Sequence, residues 1–194
     1  ANTLIIPNDN LDDMIANPFI DYSKNKISIN YNSAVKELRV IDGRIKECIL
    51  ETGEIIKSDI YVSAVPFYSF SGLFEADIFN KYYSGFSEMQ PASILSVFLV
   101  PEKMPLDIND KYYFGMVGIL EGLIHWVFFK DKYISVTISA PEYTVKGFDK
   151  LSKEDICIRV EQEIREYFPE FKDTNFKKIK YFREKRATFL HETN

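Results

Sequence analysis

The stretch "KYISVTIS" (Lys132–Ser139) alternates apolar and hydroxyl-bearing side chains. Successive side chains on a β-strand point to opposite faces, so this pattern predicts a strand with one apolar and one polar face. The apolar members are Ile134, Val136 and Ile138. The hydroxyl-bearing members are Ser135, Thr137 and Ser139.

Further strands are predicted on both sides of this stretch. "SILSVFLV" (Ser93–Val100) and "LIHWVFFK" (Leu123–Lys130) are rich in β-forming residues, and Asp131-Lys132 is a tight turn that pairs the second with "KYISVTIS". "KKIKYFREKRATF" (Lys177–Phe189) is a last extended strand. Ser152 and Asp155 have the spacing of a capping box, which predicts a helix that buries an apolar stripe and ends at a proline. The stripe is Ile156, Val160 and Ile164, and the proline is Pro169.

The first third of the chain predicts a short helix followed by a meander of antiparallel strands. The helix spans Asn8 to Asn17, with Asn8, Asp9 or Asn10 as its N-cap and Pro18 as its stop. The predicted strands are "KISINY" (26–31), "AVKELRVI" (34–41), "RIKECIL" (44–50) and "DIYVSAV" (59–65). Asp42-Gly43 and Thr52-Gly53-Glu54 are the predicted turns.

The character of the sequence changes at Pro66, which lacks an N–H and so ends a strand ladder. Beyond it, "FYSFSGLFEADIFNKYYSGF" (67–86) is rich in aromatic residues and predicts two short helices broken near Gly72. The predicted fold class is therefore α+β: a short antiparallel meander, then a mixed, mostly antiparallel sheet flanked by helices. Pro66 is the predicted boundary between the two parts.

Composition narrows the possible partners. The chain has 194 residues and a net charge of −5, so it repels phosphate backbones, and its best basic patch, Lys177–Arg186, fits a solvated strand. We therefore expect no nucleic-acid partner. Aromatic residues make up 15% of the chain, which suits a large apolar cavity as well as a core. The abrupt start "ANTLIIPNDN" and end "ATFLHETN" predict a piece of a longer protein.

Motifs for catalysis, metal binding and membrane insertion are absent from the sequence. It contains no GxSxG, HExxH or CxxC motif, and "GMVG" (115–118) is too poor in glycine for a phosphate loop. His125 and His191 are too few for a metal site, and we favour a packed or hydrogen-bonding His125 over a general base. Cys48 and Cys157 are predicted to be buried thiols of a reducing compartment. No apolar run is long enough to span a bilayer, and no secretory signal opens the chain.

Four segments of the chain nevertheless resemble a known superfamily. "NSAVKELRVIDGRIKECILETGEIIKSDIYVSAVP" (32–66) resembles the FAD-dependent amine-oxidase and phytoene-desaturase superfamily. "HWVFFK" (125–130), "YISVTISAP" (133–141) and "EKRATF" (184–189) are similar to segments of its squalene-associated desaturases, the hydroxysqualene dehydroxylase group. His125 stands where that group has Gln, and Phe129 and Lys130 stand where it has Asp and Arg.

This resemblance implies an internal piece of a flavoenzyme. Residues 1–66 would be part of an FAD domain, residues 67–186 the substrate domain, and residues 187–194 the start of the return to the FAD domain. Both glycine-rich FAD motifs of the superfamily are missing, so we expect this chain neither to hold FAD tightly nor to turn over.

The same resemblance assigns candidate site residues. Val35 matches the valine whose backbone meets the FAD adenine, and Ala64, Val65 and Pro66 match the strand end near the cofactor. Catalytic residues stay unassigned, because the flavin supplies the hydride chemistry in such enzymes. Four side chains are the candidates for lining a substrate tunnel: Phe98, Trp126, Phe128 and Val136.

The expected function of the longer protein is hydride transfer between FAD and a long apolar isoprenoid. An amine or protoporphyrinogen oxidase of the same superfamily is the alternative within the class, and a non-catalytic lipid-binding module is the alternative outside it. We expect a cytoplasmic protein, and an isoprenoid substrate implies that the full-length enzyme visits the membrane surface.

Overall fold

The computed structural model describes residues 10–105, 108–112 and 115–190. Contacts between residues divide the chain into two compact units, one ending at Met89 and the other beginning at Gln90. The boundary predicted at Pro66 is a different one, between a cofactor domain and a substrate domain of a longer protein. It stays a prediction.

The first unit contains a three-stranded antiparallel sheet in the order β1-β2-β3. Its strands are β1 (Val35–Ile41), β2 (Arg44–Leu50) and β3 (Ile55–Ile56). Asp42 and Gly43 connect the first two with φ angles of 52° and 73°, as the tightest hairpin turns require. Gly53, with a φ of 85°, forms the second turn. Both predicted turns are confirmed.

Two of the four predicted meander strands are wrong. "KISINY" (26–31) and "DIYVSAV" (59–65) form no strand. A strand needs a neighbour that accepts its N–H groups, and Ile60 and Val62 instead are 77% and 89% exposed. Tyr61 holds the second segment against β2, because its hydroxyl donates to the Lys46 carbonyl at 2.8 Å.

The first helix starts later and runs further than predicted. A π-helical turn (Asp12–Ala16) leads into α1 (Asn17–Ser23), which passes through Pro18. Pro18 lies in the first turn of α1, where its missing N–H is tolerated, so the predicted stop there is wrong. Asn10 caps the start, with its side-chain oxygen accepting the Asp13 N–H at 2.9 Å. Asn8 and Asp9 lie outside the described residues.

Short helices follow Pro66, as predicted, and pack within the first unit. They are α2 (Phe67–Phe70), a 3₁₀ turn (Ser71–Leu73), α3 (Ala76–Tyr83) and a second 3₁₀ turn (Ser84–Glu88). Phe74 and Phe79 are buried with Leu38 of β1 in one apolar cluster. The aromatic run therefore forms a small core on the three-stranded sheet.

The second unit is a five-stranded antiparallel sheet in the order β5-β6-β7-β4-β8. Its strands are β4 (Pro91–Pro101), β5 (Met116–Gly118), β6 (Trp126–Phe129), β7 (Ile134–Ser139) and β8 (Phe176–Phe189). Its α-helices are α4 (Ile108–Lys111), α5 (Pro141–Thr144) and α6 (Lys153–Tyr167). Two 3₁₀ turns span Phe148–Lys150 and Pro169–Phe171. The α+β fold class is confirmed.

One face of this sheet is buried together with the apolar stripe of α6. Val97, Val127 and Val136 are fully buried in the same cluster as the three predicted residues of the helix, namely Ile156, Val160 and Ile164. Each such side chain contributes about 1.5–3 kcal/mol of burial free energy. Ser152 and Asp155 form the predicted capping box. The other face of the sheet is left open, and the candidate site lies there.

Candidate functional site

We call the surface of the five-stranded sheet opposite its buried side the open face. Strand register aligns its side chains in rows across β6, β7, β4 and β8. One row is Trp126, Thr137, Ser96 and Phe182. The next row is Phe128, Ser135, Phe98 and Lys180. The sheet therefore brings three of the four predicted substrate residues onto one surface.

We call the first of these rows the trough and its two aromatic residues the walls. The small hydroxyl-bearing residues Ser96 and Thr137 lie between Trp126 and Phe182 in this row. Neighbouring strands lie about 4.8 Å apart, so the backbones under the two aromatic walls are roughly 14 Å apart. Trp126 is 42% exposed and Phe182 59% exposed, which leaves ring surface available to a ligand.

Trp126 forms its wall by lying over a glycine. Gly118 of β5 pairs with Trp126, and a Cβ placed on Gly118 would lie 3.1 Å from the indole Cζ3 atom. In the "GMVG" stretch, Gly118 therefore leaves room for the aromatic ring of Trp126. Sequence reasoning rejected it as a nucleotide loop but missed this role, which only the strand register reveals.

Val136 is separated from the other three predicted substrate residues. It lies on the buried side of β7, fully enclosed in the core cluster with α6, and its removal from the tunnel lining is a correction to the sequence-based assignment. The alternation of "KYISVTIS" already implied this, because Val136 falls on the apolar side of its strand. Phe98 stays on the open face, half-buried, with its ring 6.0 Å from that of Tyr133.

His125 has a hydrogen-bonding role, as favoured from the sequence. Its Nδ1 atom accepts the backbone N–H of Ser139 at 3.0 Å. The backbone N–H of His125 also donates to the backbone carbonyl of Thr137 at 3.1 Å. His125 therefore ties the start of β6 to the end of β7, beside Trp126.

Charged side chains mark the two ends of the open face, and sequence reasoning did not connect them to the site. Lys178 and Lys180 lie opposite Val100 and Phe98 at one end. Glu184 lies opposite Ile94 at the other end. The sequence of β8 could have indicated this, because residues at even spacing on a strand share one face and Lys178, Lys180 and Glu184 have that spacing.

A buried polar network fixes the end of the sheet near Glu184. Ser93 of β4 is 1% exposed, and its hydroxyl donates to the Glu142 carboxylate at 2.5 Å while its N–H donates at 2.7 Å. Arg183 donates to the Ser93 hydroxyl at 3.1 Å. Burial raises the pKa of Glu142, but hydrogen bonds from Ser93 and the Arg183 charge outweigh it, so the pKa lies below its usual value.

The loop between β5 and β6 is held by a carboxylate from α6. Glu163 accepts the backbone N–H groups of Leu123 at 2.8 Å and Ile124 at 2.9 Å. Tyr167 donates to the Glu121 carbonyl at 2.8 Å. This loop leads directly into Trp126, so Glu163 positions the strand that carries one wall of the trough.

The four cofactor candidates all belong to the first unit and are exposed. Val35 opens β1 opposite Leu50, and an irregularity in the register follows it directly. Ala64 and Val65 end the unpaired segment, Pro66 follows it, and the Pro66 carbonyl accepts the Ser69 N–H at 2.9 Å. The sequence contains no glycine-rich loop of the kind that holds a pyrophosphate. Their cofactor role stays a prediction.

A membrane-spanning helix and a metal-binding cluster are both absent from the residues that the structure describes. No helix within them is long and apolar enough to cross a membrane. The same residues include no group of three or more side chains arranged to hold a metal ion. His191 lies outside them.

Comparisons with known proteins give similarity at the level of fold. No family model and no curated protein matches the chain. The chain is similar to a solved structure of reduced UDP-galactopyranose mutase, with a TM-score of 0.52, 10% identity, and coverage of 84% of this chain and 36% of that one. At this identity the likeness shows the fold alone.

Two further solved structures match less well. A protein from Pyrococcus furiosus gives a TM-score of 0.49 at 15% identity, covering 77% of this chain and 36% of that one. An oxidoreductase from Methanosarcina mazei gives a TM-score of 0.43 at 13% identity, covering 78% and 37%. The chain therefore spans little more than a third of the length of each of these three solved structures.

Proposed function

We propose that this chain is the substrate-binding part of a longer FAD-dependent oxidoreductase of the desaturase or dehydroxylase type, which acts on a long apolar isoprenoid. The open face is the observation that carries the proposal. A sheet with one side buried and the other lined by half-exposed aromatic rings offers a surface for an apolar chain. The fold similarity to an enzyme solved in its reduced form adds support.

The residues have distinct roles in this proposal. Phe98, Trp126 and Phe128 would contact the isoprenoid, with Phe182 as the facing wall. Val35 and residues 64–66 would contact one edge of the cofactor. A bound flavin would supply the hydride chemistry, and the side chains of this chain would bind and orient the substrate and exclude water.

The test uses the full-length protein encoded by the parent reading frame. We expect it to purify with, or be reconstituted to, flavin absorbance, and the flavin to bleach when an isoprenoid is added without oxygen. Trp126→Ala should slow this bleaching, whereas Ile158→Ala, on the exposed side of α6, should not. A protein that stays colourless after reconstitution would overturn the flavoenzyme proposal.

A non-catalytic lipid-binding module is the second candidate, because the open face alone would serve it. The two candidates differ in the upstream reading frame. A strand followed by GxGxxG would dismiss the binding module, since that motif holds a dinucleotide at a helix N-terminus. Bleaching by amines in place of isoprenoids would indicate the amine-oxidase alternative. We also propose peripheral contact of the full-length protein with membranes, which co-sedimentation with lipid vesicles would test.

A further inference from the structure

The open face has a charge polarity along its strands. Lys178 and Lys180 occupy one end and Glu184 the other, all three on β8. Both lysines are exposed, and neither forms an ion pair with any residue that the structure describes. The chain as a whole carries a net charge of −5, so this cationic end differs from the protein's average surface.

The two lysines are spaced to act on one group. Residues two apart on a strand share a face and are about 7 Å apart along the backbone. Lysine side chains are long and flexible enough for both ammonium groups to reach a single phosphate from that separation. Lys180 lies directly opposite Phe98, so this cationic end adjoins the aromatic surface.

From this juxtaposition we infer that the open face binds an amphipathic anion, whose apolar chain lies over the aromatic rings and whose anionic head lies at Lys178 and Lys180. The inference rests on the proposed function in taking this face as the substrate side, and it narrows the substrate to an isoprenoid with an anionic group. A cationic amphiphile would be repelled from the same end, which disfavours an amine substrate.

Lysines on β8 also have a plainer explanation. β8 is an edge strand, and exposed charges on edge strands prevent pairing with other chains. That explanation requires charges anywhere along the edge, and Lys177 and Lys185 of the same strand would serve it equally. It does not account for exposed Phe182 between Lys180 and Glu184, on the same face of this strand. The two explanations differ in whether ligand affinity depends on Lys178 and Lys180.

The test uses Trp126, the single tryptophan, as a reporter on the 194-residue chain. Three ligands are titrated at low salt: farnesyl diphosphate, farnesol without the anion, and inorganic diphosphate without the chain. We expect farnesyl diphosphate to change the Trp126 fluorescence and to bind about tenfold more tightly than farnesol. Inorganic diphosphate should bind more weakly than either, and equilibrium dialysis records any binding that leaves the fluorescence unchanged.

The double variant Lys178→Gln/Lys180→Gln should reduce the preference for farnesyl diphosphate to less than about threefold, with farnesol binding unchanged. Lys146→Gln/Lys150→Gln removes the same charge from exposed positions elsewhere in the unit and should keep the preference. Equal binding of farnesol and farnesyl diphosphate by the unmodified chain would overturn the inference. So would tight binding of inorganic diphosphate alone, or a preference that survives the first variant or is lost in the second.

Failure here is distinguishable from failure of the proposed function. The titration needs no flavin, whereas the flavoenzyme proposal depends on flavin absorbance and bleaching in the full-length protein. If the full-length protein contains flavin but the chain binds farnesol and farnesyl diphosphate equally well, the proposed function stands and only the inference of an anionic substrate is wrong.

Discussion

The indole of Trp126 lies across Gly118 on the neighbouring strand, with its Cζ3 atom 3.1 Å from where a Cβ of residue 118 would be. This distance is shorter than most contacts of a Cβ atom, so a side chain at residue 118 would require the ring to shift by a few tenths of an ångström. A glycine in one strand and an aromatic ring opposite it form a cross-strand pair that fixes the ring. One wall of the trough therefore depends on a residue with no side chain of its own.

Gly118→Ala should displace the Trp126 ring without unfolding the chain. The added methyl group pushes the indole toward solvent, where it has space because it is already 42% exposed. We expect a red shift of the tryptophan emission and a loss of stability of about 1 kcal/mol or less, measured by fluorescence and denaturant titration. Gly72→Ala is the matched control, since no atom lies within 4 Å of its added Cβ. An unchanged emission spectrum in Gly118→Ala would contradict the seating of the ring.

Glu163→Ala should destabilise the second unit more than Glu161→Ala, although both remove a carboxylate from α6. The first leaves the N–H groups of Leu123 and Ile124 without their acceptor in a buried setting, at a cost of about 1–3 kcal/mol. The second breaks only the partly exposed pair with Arg165, worth about 0.3–0.5 kcal/mol. Urea titrations of both variants would show the difference. Equal losses would mean that the loop does not depend on Glu163.

Glu142→Gln should make stability less dependent on pH in the acid range. The folded-state pKa of Glu142 is lowered, so its contribution is fully present above the usual value of 4.5 and is lost as pH falls through the folded-state pKa. The amide cannot titrate and also accepts weaker hydrogen bonds from Ser93. We expect a loss of about 1–3 kcal/mol at neutral pH.

That difference should shrink as the pH falls from 4.5 through the lower folded-state pKa of Glu142, because the wild-type carboxylate becomes protonated over that range. Thermal unfolding of both proteins across this range measures it. Glu88→Gln, at an exposed position of the first unit, serves as the control for losing one negative charge. A difference that stays constant with pH would show that the network does not depend on ionised Glu142.

Local patterns predicted most of the second unit because each element carries its own signal. The alternation of Lys132–Ser139 fixes which side of β7 is buried, and the Ser152–Asp155 spacing marks the start of α6. In the first unit, "DIYVSAV" has the composition of a strand but no partner within the described sheet. Strand propensity describes a surface that fits a sheet, and pairing depends on residues far away in sequence.

The candidate site was only partly predictable for the same reason. Phe98, Trp126 and Phe128 were chosen one by one as aromatic residues on strands, and the register places all three on one face. Gly118, Phe182 and Lys180 were missed because their relation to the site is a cross-strand one. Val136 was assigned to the tunnel lining although the alternation of its strand already places it on the apolar, buried side. The side of the strand on which a residue lies is therefore a better guide to its exposure than its residue type.

Residues on the two sides of the five-stranded sheet can be substituted independently of each other. Buried residues alternate with residues of the open face along β6, β7 and the part of β4 from Ile94 to Val100. Ser96 and Phe128 lie outside the core cluster, so a substitution at either residue changes the open face and leaves the packing beneath α6 untouched. If the open face binds the proposed ligand, ligand specificity could therefore change through single substitutions that are compatible with folding.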